Sequence, residues 1–286
     1  MARIWWRKRV RVEIWGSRGS LASPGASTVR YGGNTATLLV VGDEGEHLVL
    51  DAGTGIRPLG LKIPAEVRRV DVLITHLHMD HLQGLGFFQP IFRPDLEVHV
   101  WGPPSITMPL SARIGRYLSP PLFPVTLRQM PCRLELHDAE PYARIGSLRV
   151  RSDLVCHPGP TVGYRITSPG GKVLAYLPDH EPALGVDPFP ASPEWTSGFD
   201  LAHRADLLVH DAQYTDDEYR DHVGWGHSSI RQLAAFARMA EVNHVAPFHH
   251  DPSHSDAEVD ALAGELATLL PGAEVLPGAE GATFDL

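Results

Sequence analysis

The sequence predicts an α/β fold, and three observations carry that prediction. Apolar stretches of strand length alternate with Gly/Pro turns through much of the chain, and two amphipathic helical stretches follow near the end. The 286 residues, 43% of them hydrophobic, can bury a full core, so a single domain over residues 1–286 is expected. Residues of metal-binding type stand just after apolar strands at four places, His76, Asp179, Asp211 and His249. Side chains at the same end of several strands can converge on one site.

Taken in order, residues 1–9 are basic and aromatic and lack the apolar run of a secretory signal. They read as an exposed lead-in, with a contact to a small anion or membrane surface as the other reading. Arg11–Trp15 alternates polar and apolar residues as a half-buried strand does, and a polar loop follows from Gly16 to Gly33. Thr37–Val41 and Leu48–Asp51 are strands around a Gly42-Asp43 turn, and Val70–Thr75 is a buried-type strand running into His76. From Pro90 to Pro131 the chain is proline-rich and is expected as loops and short helices over one edge, a cap on the site or a dimer contact. Strands resume at Leu148–Arg151, Val162–Ile166, Val173–Leu177, Asp206–Val209 and Val245–Phe248. Helices are expected at Ser228–Met239 and Asp256–Leu270, with Asp256 as N-cap of the second.

Sixteen histidines are many, and the densest group is His76-Leu-His78-Met-Asp80-His81. Imidazole and carboxylate are good ligands for zinc and related ions. A tight turn after a strand lets His76 and His78 face one ion while Asp80 and His81 reach a second, and two such ions can share a hydroxide. Four residues are too few for two ions. His157 in Cys156-His-Pro-Gly-Pro, Asp179 in Pro178-Asp-His180, and one of the pair His249-His250 are the further candidates. Asp179 can bridge, with His180 as its competitor, and His249 is preferred because it follows its strand directly. Two cysteines exclude a disulfide framework and any four-cysteine zinc module. No apolar run reaches the roughly 18 residues of a membrane helix, and a net charge of −9 opposes broad capture of nucleic acid.

The set His76-x-His78-x-Asp80-His81, His157, Asp179 and His249 resembles the metal set of the metallo-β-lactamase fold. The resemblance implies a four-layer αββα sandwich with metal at the edge where two sheets meet. It implies His76, His78 and His157 at one ion, Asp80, His81 and His249 at another, and Asp179 between them. Two divalent ions are expected, zinc first, with manganese or iron also compatible with His/Asp ligation. Asp51 in Leu50-Asp-Ala-Gly-Thr54 resembles the family's structural strand-end aspartate. The glutamate that would replace His78 in the diiron flavoprotein branch is absent, as is the zinc-binding cysteine of many true β-lactamases, where Asp179 stands instead.

His210-Asp211-Ala-Gln-Tyr214 and Gly226-His227-Ser-Ser229 resemble the phosphodiesterase branch typified by tRNase Z, as do Asp80–Leu85 and Gly163–Ile166. That resemblance implies attack of a metal-bound hydroxide on phosphorus, with Asp80 orienting the nucleophile. Protonated His227 would give the leaving alkoxide its proton, and Asp211 would hold the imidazolium. The bland alternative makes His227 a neighbour of a helix cap with no chemistry. His157 and Asp179 are too close in sequence for the long tRNA-gripping arm of tRNase Z. A small phosphodiester, a cyclic nucleotide or short oligonucleotide, is therefore the expected substrate. The alternatives are a tRNase Z-like RNA-processing endonuclease, a lactonase or thioesterase of the same fold, and a metal-binding sensor without turnover. Ser17, Arg18, Ser20 and Ser27 form a loop that can contact phosphate or be an ordinary polar loop. Trp225, Tyr214 and His222 can stack on a base or merely pack. The branch implies a homodimer, and the cytoplasm is the expected compartment.

Overall fold

The computed structural model describes residues 10–286, so the expected lead-in at residues 1–9 lies outside the described residues. In chain order come β1 (Arg11–Gly16), β2 (Thr37–Val41), β3 (His47–Leu50), α1 (Ile56–Gly60), β4 (Arg69–Leu73), α2 (Met79–Leu82), β5 (Glu97–Gly102), α3 (Leu110–Tyr117) and β6 (Arg133–Asp138). Next are β7 (Tyr142–Ile145), β8 (Leu148–Leu154), β9 (Val162–Thr167), β10 (Val173–Leu177), α4 (Phe199–Ala202) and β11 (Leu207–Asp211). The chain closes with α5 (Asp216–Asp221), α6 (Ile230–Met239), β12 (His244–Phe248), α7 (Asp256–Leu269), β13 (Glu274–Val275) and β14 (Thr283–Asp285).

Two mixed sheets result, ordered β14-β1-β2-β3-β4-β5-β6 and β13-β12-β11-β10-β9-β8-β7. In each, antiparallel pairs give way to a parallel run, β3 to β6 in the first sheet and β10 to β13 in the second. Parallel strands present all their C-terminal ends along one edge, and both sheets use that edge for the polar residues that follow.

Period-two alternation explains the layers. Val12, Ile14, Leu38, Val40 and Leu48 meet Tyr164, Ile166, Leu174, Tyr176 and Phe248 between the sheets. The other face of the first sheet (Val49, Val70, Val72, Val98, Val100) is covered by Ile56 and Leu59 of α1 and Leu110 and Ile114 of α3. Ala175, Leu177, Leu208 and Val245 are covered by Leu233 and Phe236 of α6 and Leu262 and Leu266 of α7. The order is helix, sheet, sheet, helix, as expected.

Two expectations need correction. The Pro90–Pro131 stretch is not all loops and short helices: it contains β5, an interior strand between β4 and β6. Val98 and Val100 drive its burial, while the prolines on either side mask so short a strand. The cap of α7 is Ser255, which accepts from Glu258 N–H while Glu258 reaches back to the Ser255 N–H. Asp256 instead accepts the backbone N–H groups of Arg30 and Tyr31, at 2.9 and 3.2 Å.

Candidate metal centre

The first sheet supplies one continuous segment. After β4 the chain passes Thr75 and His76, and His78 then stands at the N-cap of α2, which carries Asp80 and His81. Asp51, just beyond β3 at φ +60°, fixes this segment. It accepts Thr75 N–H at 2.7 Å, His81 Nδ1–H at 2.8 Å and the Tyr176 hydroxyl at 2.9 Å. Asp51 thus has the structural role expected of it.

The second sheet supplies single residues from separate strand ends. Asp179 follows β10, Asp211 ends β11, and His249 follows β12 at φ +59°. The register Leu177↔His210 and Asp211↔Phe248 brings these ends level. His157 comes from the connection between β8 and β9.

All seven expected ligands meet, in two groups. His76, His78 and His157 form one, and Asp80, His81, Asp179 and His249 the other, each with ligand atoms within 4.8 Å of one another. Asp179 stands between them. Its Oδ2 lies 3.7 Å from both His76 Nε2 and His157 Nε2 and 3.3 Å from His249 Nε2, and its Oδ1 lies 2.9 Å from His81 Nε2.

The donor set fits divalent ions. His76 Nε2 is buried without a hydrogen-bond partner, and Asp179 Oδ1, despite its short approach to His81, makes no hydrogen bond. These atoms converge on common points rather than on one another. The far ring nitrogens are anchored, His157 Nδ1 on the Gly226 carbonyl at 2.9 Å and His249 Nδ1 on Gln213 Oε1 at 2.8 Å. Anchoring a ring Nδ1–H turns the unprotonated Nε2 toward the centre, the state a metal requires. Burial pushes His76, His78 and His157 below the usual histidine range, which keeps them neutral. Burial also opposes charge on Asp80 and Asp179, yet the surrounding imidazoles hold both carboxyls well below the carboxylate range.

Beside the centre, His227 Nδ1 donates to Asp211 Oδ2 at 2.6 Å. Asp211 Oδ1 accepts Ser228 N–H at 2.9 Å and Gln213 N–H at 3.1 Å, so the carboxylate is fixed from both sides. Burial lowers the His227 pKa, but the Asp211 carboxylate outweighs it and raises it to about 9. The His227 ring packs against the rings of His157 and His249, with centroids 5.1 and 4.9 Å away.

A family model described as a beta-lactamase superfamily domain matches residues 46–250. The chain belongs to that superfamily. An uncharacterized protein of Mycobacterium tuberculosis is 32% identical over 203 residues, covering 65% of this chain and 68% of the relative. A Ribonuclease Z of Brevibacillus brevis is 26% identical over 256 residues, covering 76% and 79%. The metallo-β-lactamase fold protein YhfI from Bacillus subtilis superposes with a TM-score of 0.70 at 18% identity, covering 98% of this chain and 100% of that one. Human tRNase Z, short form, gives 0.64 at 18% identity, covering 96% and 98%. A diphosphatase from the PhnP family gives 0.68 at 16% identity, covering 97% of each. These superpositions show the metallo-β-lactamase fold.

Within this superfamily frame the competing residues separate cleanly. His180 Nδ1 pairs with His210 Nε2 at 2.8 Å, and His250 Nε2 takes the Gly278 carbonyl at 2.8 Å, so neither joins the two groups. Arg18 does not serve as a phosphate contact. It is fully buried and donates to the carbonyls of Gly32, Asp251 and His254 at 2.9, 3.1 and 2.7 Å. Of the same loop, Ser17 bonds the Tyr31 carbonyl, the Ser27 carbonyl accepts Asp256 N–H, and Ser20 N–H holds Asp80 Oδ2 at 2.8 Å. Tyr214 stacks on His222 with centroids 4.7 Å apart, His222 meets the edge of Trp225, and Trp225 is 60% exposed.

Two supporting residues escaped the sequence reading. Gln213 lies inside the His210–Tyr214 motif but only the fold reveals its partner, His249. Glu181, fully buried, accepts the Tyr219 hydroxyl at 2.6 Å and the N–H groups of Gly224 and Gly226 at 3.1 and 3.0 Å. It thereby holds the loop whose Gly226 carbonyl anchors His157. Gly226 sits at φ +86°, and a Cβ there would overlap the His157 ring, so this position requires glycine.

Proposed function

We propose that the protein is a dinuclear metal-dependent hydrolase that cleaves small phosphodiesters, a cyclic nucleotide or a short oligonucleotide. The observation that carries this reading is the His227–Asp211 pair, 2.6 Å apart, standing at the wall of the seven-residue His/Asp centre. His76, His78 and His157 would hold one ion and Asp80, His81 and His249 the other, with Asp179 on both. Such ions, zinc first and manganese or iron as alternatives, supply Lewis acidity and ready ionisation of water.

The chain's own residues do the rest. Ser20 N–H donates to Asp80 Oδ2 at 2.8 Å, which fixes the carboxylate that orients the nucleophile. Asp211 accepts the hydrogen bond of His227 Nδ1–H, which leaves Nε2 to carry the proton that moves. A pKa of about 9 keeps that imidazole protonated at neutral pH, ready to protonate a leaving alkoxide. The interval from His157 to Asp179 is occupied by β9 and β10, closed by a tight turn in which Ser168 N–H meets the Lys172 carbonyl at 2.9 Å. That leaves no arm for a long RNA and supports a small substrate. The Ribonuclease Z relatives favour the second reading, an RNA-processing endonuclease.

The deciding experiment compares wild type and His227→Ala, both metal-loaded, on cyclic mononucleotides, short oligonucleotides, pre-tRNA and a lactone. The proposal expects turnover of the small phosphodiesters. It also expects a kcat loss of about 10²–10⁴-fold in the variant at unchanged metal content, and a much smaller loss with a p-nitrophenolate leaving group. Turnover of the lactone alone overturns the reaction class, and a loss within tenfold on every leaving group overturns the role of His227. Preference for pre-tRNA selects the second reading. A homodimer, tested by light scattering, and a cytoplasmic location, tested by fractionation, belong to the same proposal. Among the described residues no helix is long and apolar enough to cross a membrane.

A further inference from the structure

A further group of ligand-type side chains lies away from the centre, on the first sheet. β5 and β6 run in parallel register, Glu97↔Arg133, His99↔Glu135 and Trp101↔His137. Val98 and Val100 face the helices, so His99, Trp101, Glu135 and His137 share the opposite face. There His99 Nδ1 and His137 Nε2 lie 2.9 Å apart, in rings only 5° from parallel. Glu135 Oε2 lies 3.9 Å from the first nitrogen and 4.0 Å from the second. All three ligand atoms fall within 4.8 Å of one another.

Each of the three is held in place. His137 stacks on Trp101 with centroids 4.2 Å apart, and Asp71 fixes the Trp101 indole N–H at 2.9 Å. Arg133 holds Glu135 Oε1 at 3.1 Å, which leaves Oε2 for the histidines. His99 is 92% buried, yet its Nε2 has no hydrogen-bond partner and lies 3.8 Å from Glu97 Oε2. A cation on Nδ1 would place the ring proton on Nε2, on the side of the Glu97 carboxylate.

We propose that His99, Glu135 and His137 form a third metal site, independent of the centre at the strand ends. Two imidazoles and one carboxylate select a transition-metal ion, zinc, nickel or copper, over magnesium or calcium. Water completes the coordination, because Glu135 and His137 are 38% and 30% exposed on that face.

The test counts metal on the full-length protein and does not rely on turnover. Zinc titration followed by calorimetry, with bound zinc measured after gel filtration, should show one equivalent more for wild type than for His137→Gln. Phosphodiester turnover should agree within twofold between the two. Glu135→Gln should bind that extra equivalent at least tenfold more weakly. Copper(II) added to Asp179→Asn, which lacks the bridging carboxylate of the centre, should give an electron paramagnetic resonance signal with two nitrogen couplings that His137→Gln abolishes. This difference between variants stands whether or not the centre holds two ions. Equal zinc in wild type and His137→Gln, with no His137-dependent copper signal, overturns the site and leaves a hydrogen-bonded imidazole pair. His137 is partly exposed, so its replacement spares the core.

Discussion

The two halves of the molecule bring ligands to one place by opposite means. In the first half, four of them lie within the six residues His76–His81, and the turn into α2 sets their geometry. In the second half, Asp179 and His249 come from the ends of parallel strands, with Asp211, which holds His227, at the end of the strand between them, and sheet register sets their positions. A contiguous cluster is held by local chain geometry. A distributed one is held only as well as the sheet and the partners of each side chain hold it. The second half accordingly carries the longer chains of support, Gln213 behind His249, Glu181 and Gly226 behind His157, and Ser228 behind Asp211.

Substitutions can break this contrast. The largest effect is expected at Asp179, which stands between the two groups. Asp179→Asn should lower turnover by about 10³-fold or more, equivalent to ~4 kcal/mol of barrier. Bound metal, measured by plasma mass spectrometry, should fall by more than one equivalent, whereas His78→Ala should lose only one. Equal losses from the two would deny Asp179 its shared position.

Next comes Asp211→Asn. The carboxylate raises the His227 pKa against burial, so its removal lets burial lower that pKa. The acid form is then lost at lower pH, and the alkaline limb of the kcat profile should move toward neutrality, with about 10²-fold lost at pH 8. An alkaline limb that stays in place would separate Asp211 from the acid. Gln213→Leu and Glu181→Gln should follow, each weakening metal affinity by about 10–100-fold, as second partners of ligating histidines do. Competition with a chelating dye measures both, and an unchanged affinity would show that register alone suffices in the second half. The smallest effect belongs to Ser255→Ala, remote from both groups. It should lower unfolding free energy by about 1 kcal/mol in a denaturant melt and leave turnover unchanged.

The same contrast decides what could be read from the chain. His76–His81 is legible because its spacing is its geometry. Asp179, Asp211 and His249 are legible because each interrupts the polarity pattern where a strand ends, and parallel strands end together. β5 is hidden by the prolines on both sides, whereas β6, also absent from the expected strands, alternates over Arg133–Asp138 as a strand should. Arg18 misleads because a charged residue in a Gly/Ser loop suggests an anion, whereas its donors face the carbonyls of loops brought together by the fold. Glu181 leaves no sequence signal, because its partners are the Tyr219 hydroxyl and two backbone N–H groups far along the chain.

Asp51 has a consequence for motion. Its carboxylate is shared between Thr75 and His81 on one cover of the sandwich and Tyr176 on the other. Nearby, the Tyr164 hydroxyl reaches the Ile74 carbonyl at 2.9 Å and Val162 N–H reaches that of Thr75 at 2.9 Å. Parting the sheets like the boards of a book would strip a buried anion of a donor, at about 1.5–3 kcal/mol for that bond alone. The spine therefore stays shut, and traffic to and from the ligand groups is left to the margin, where the Met79 and Trp225 side chains are exposed.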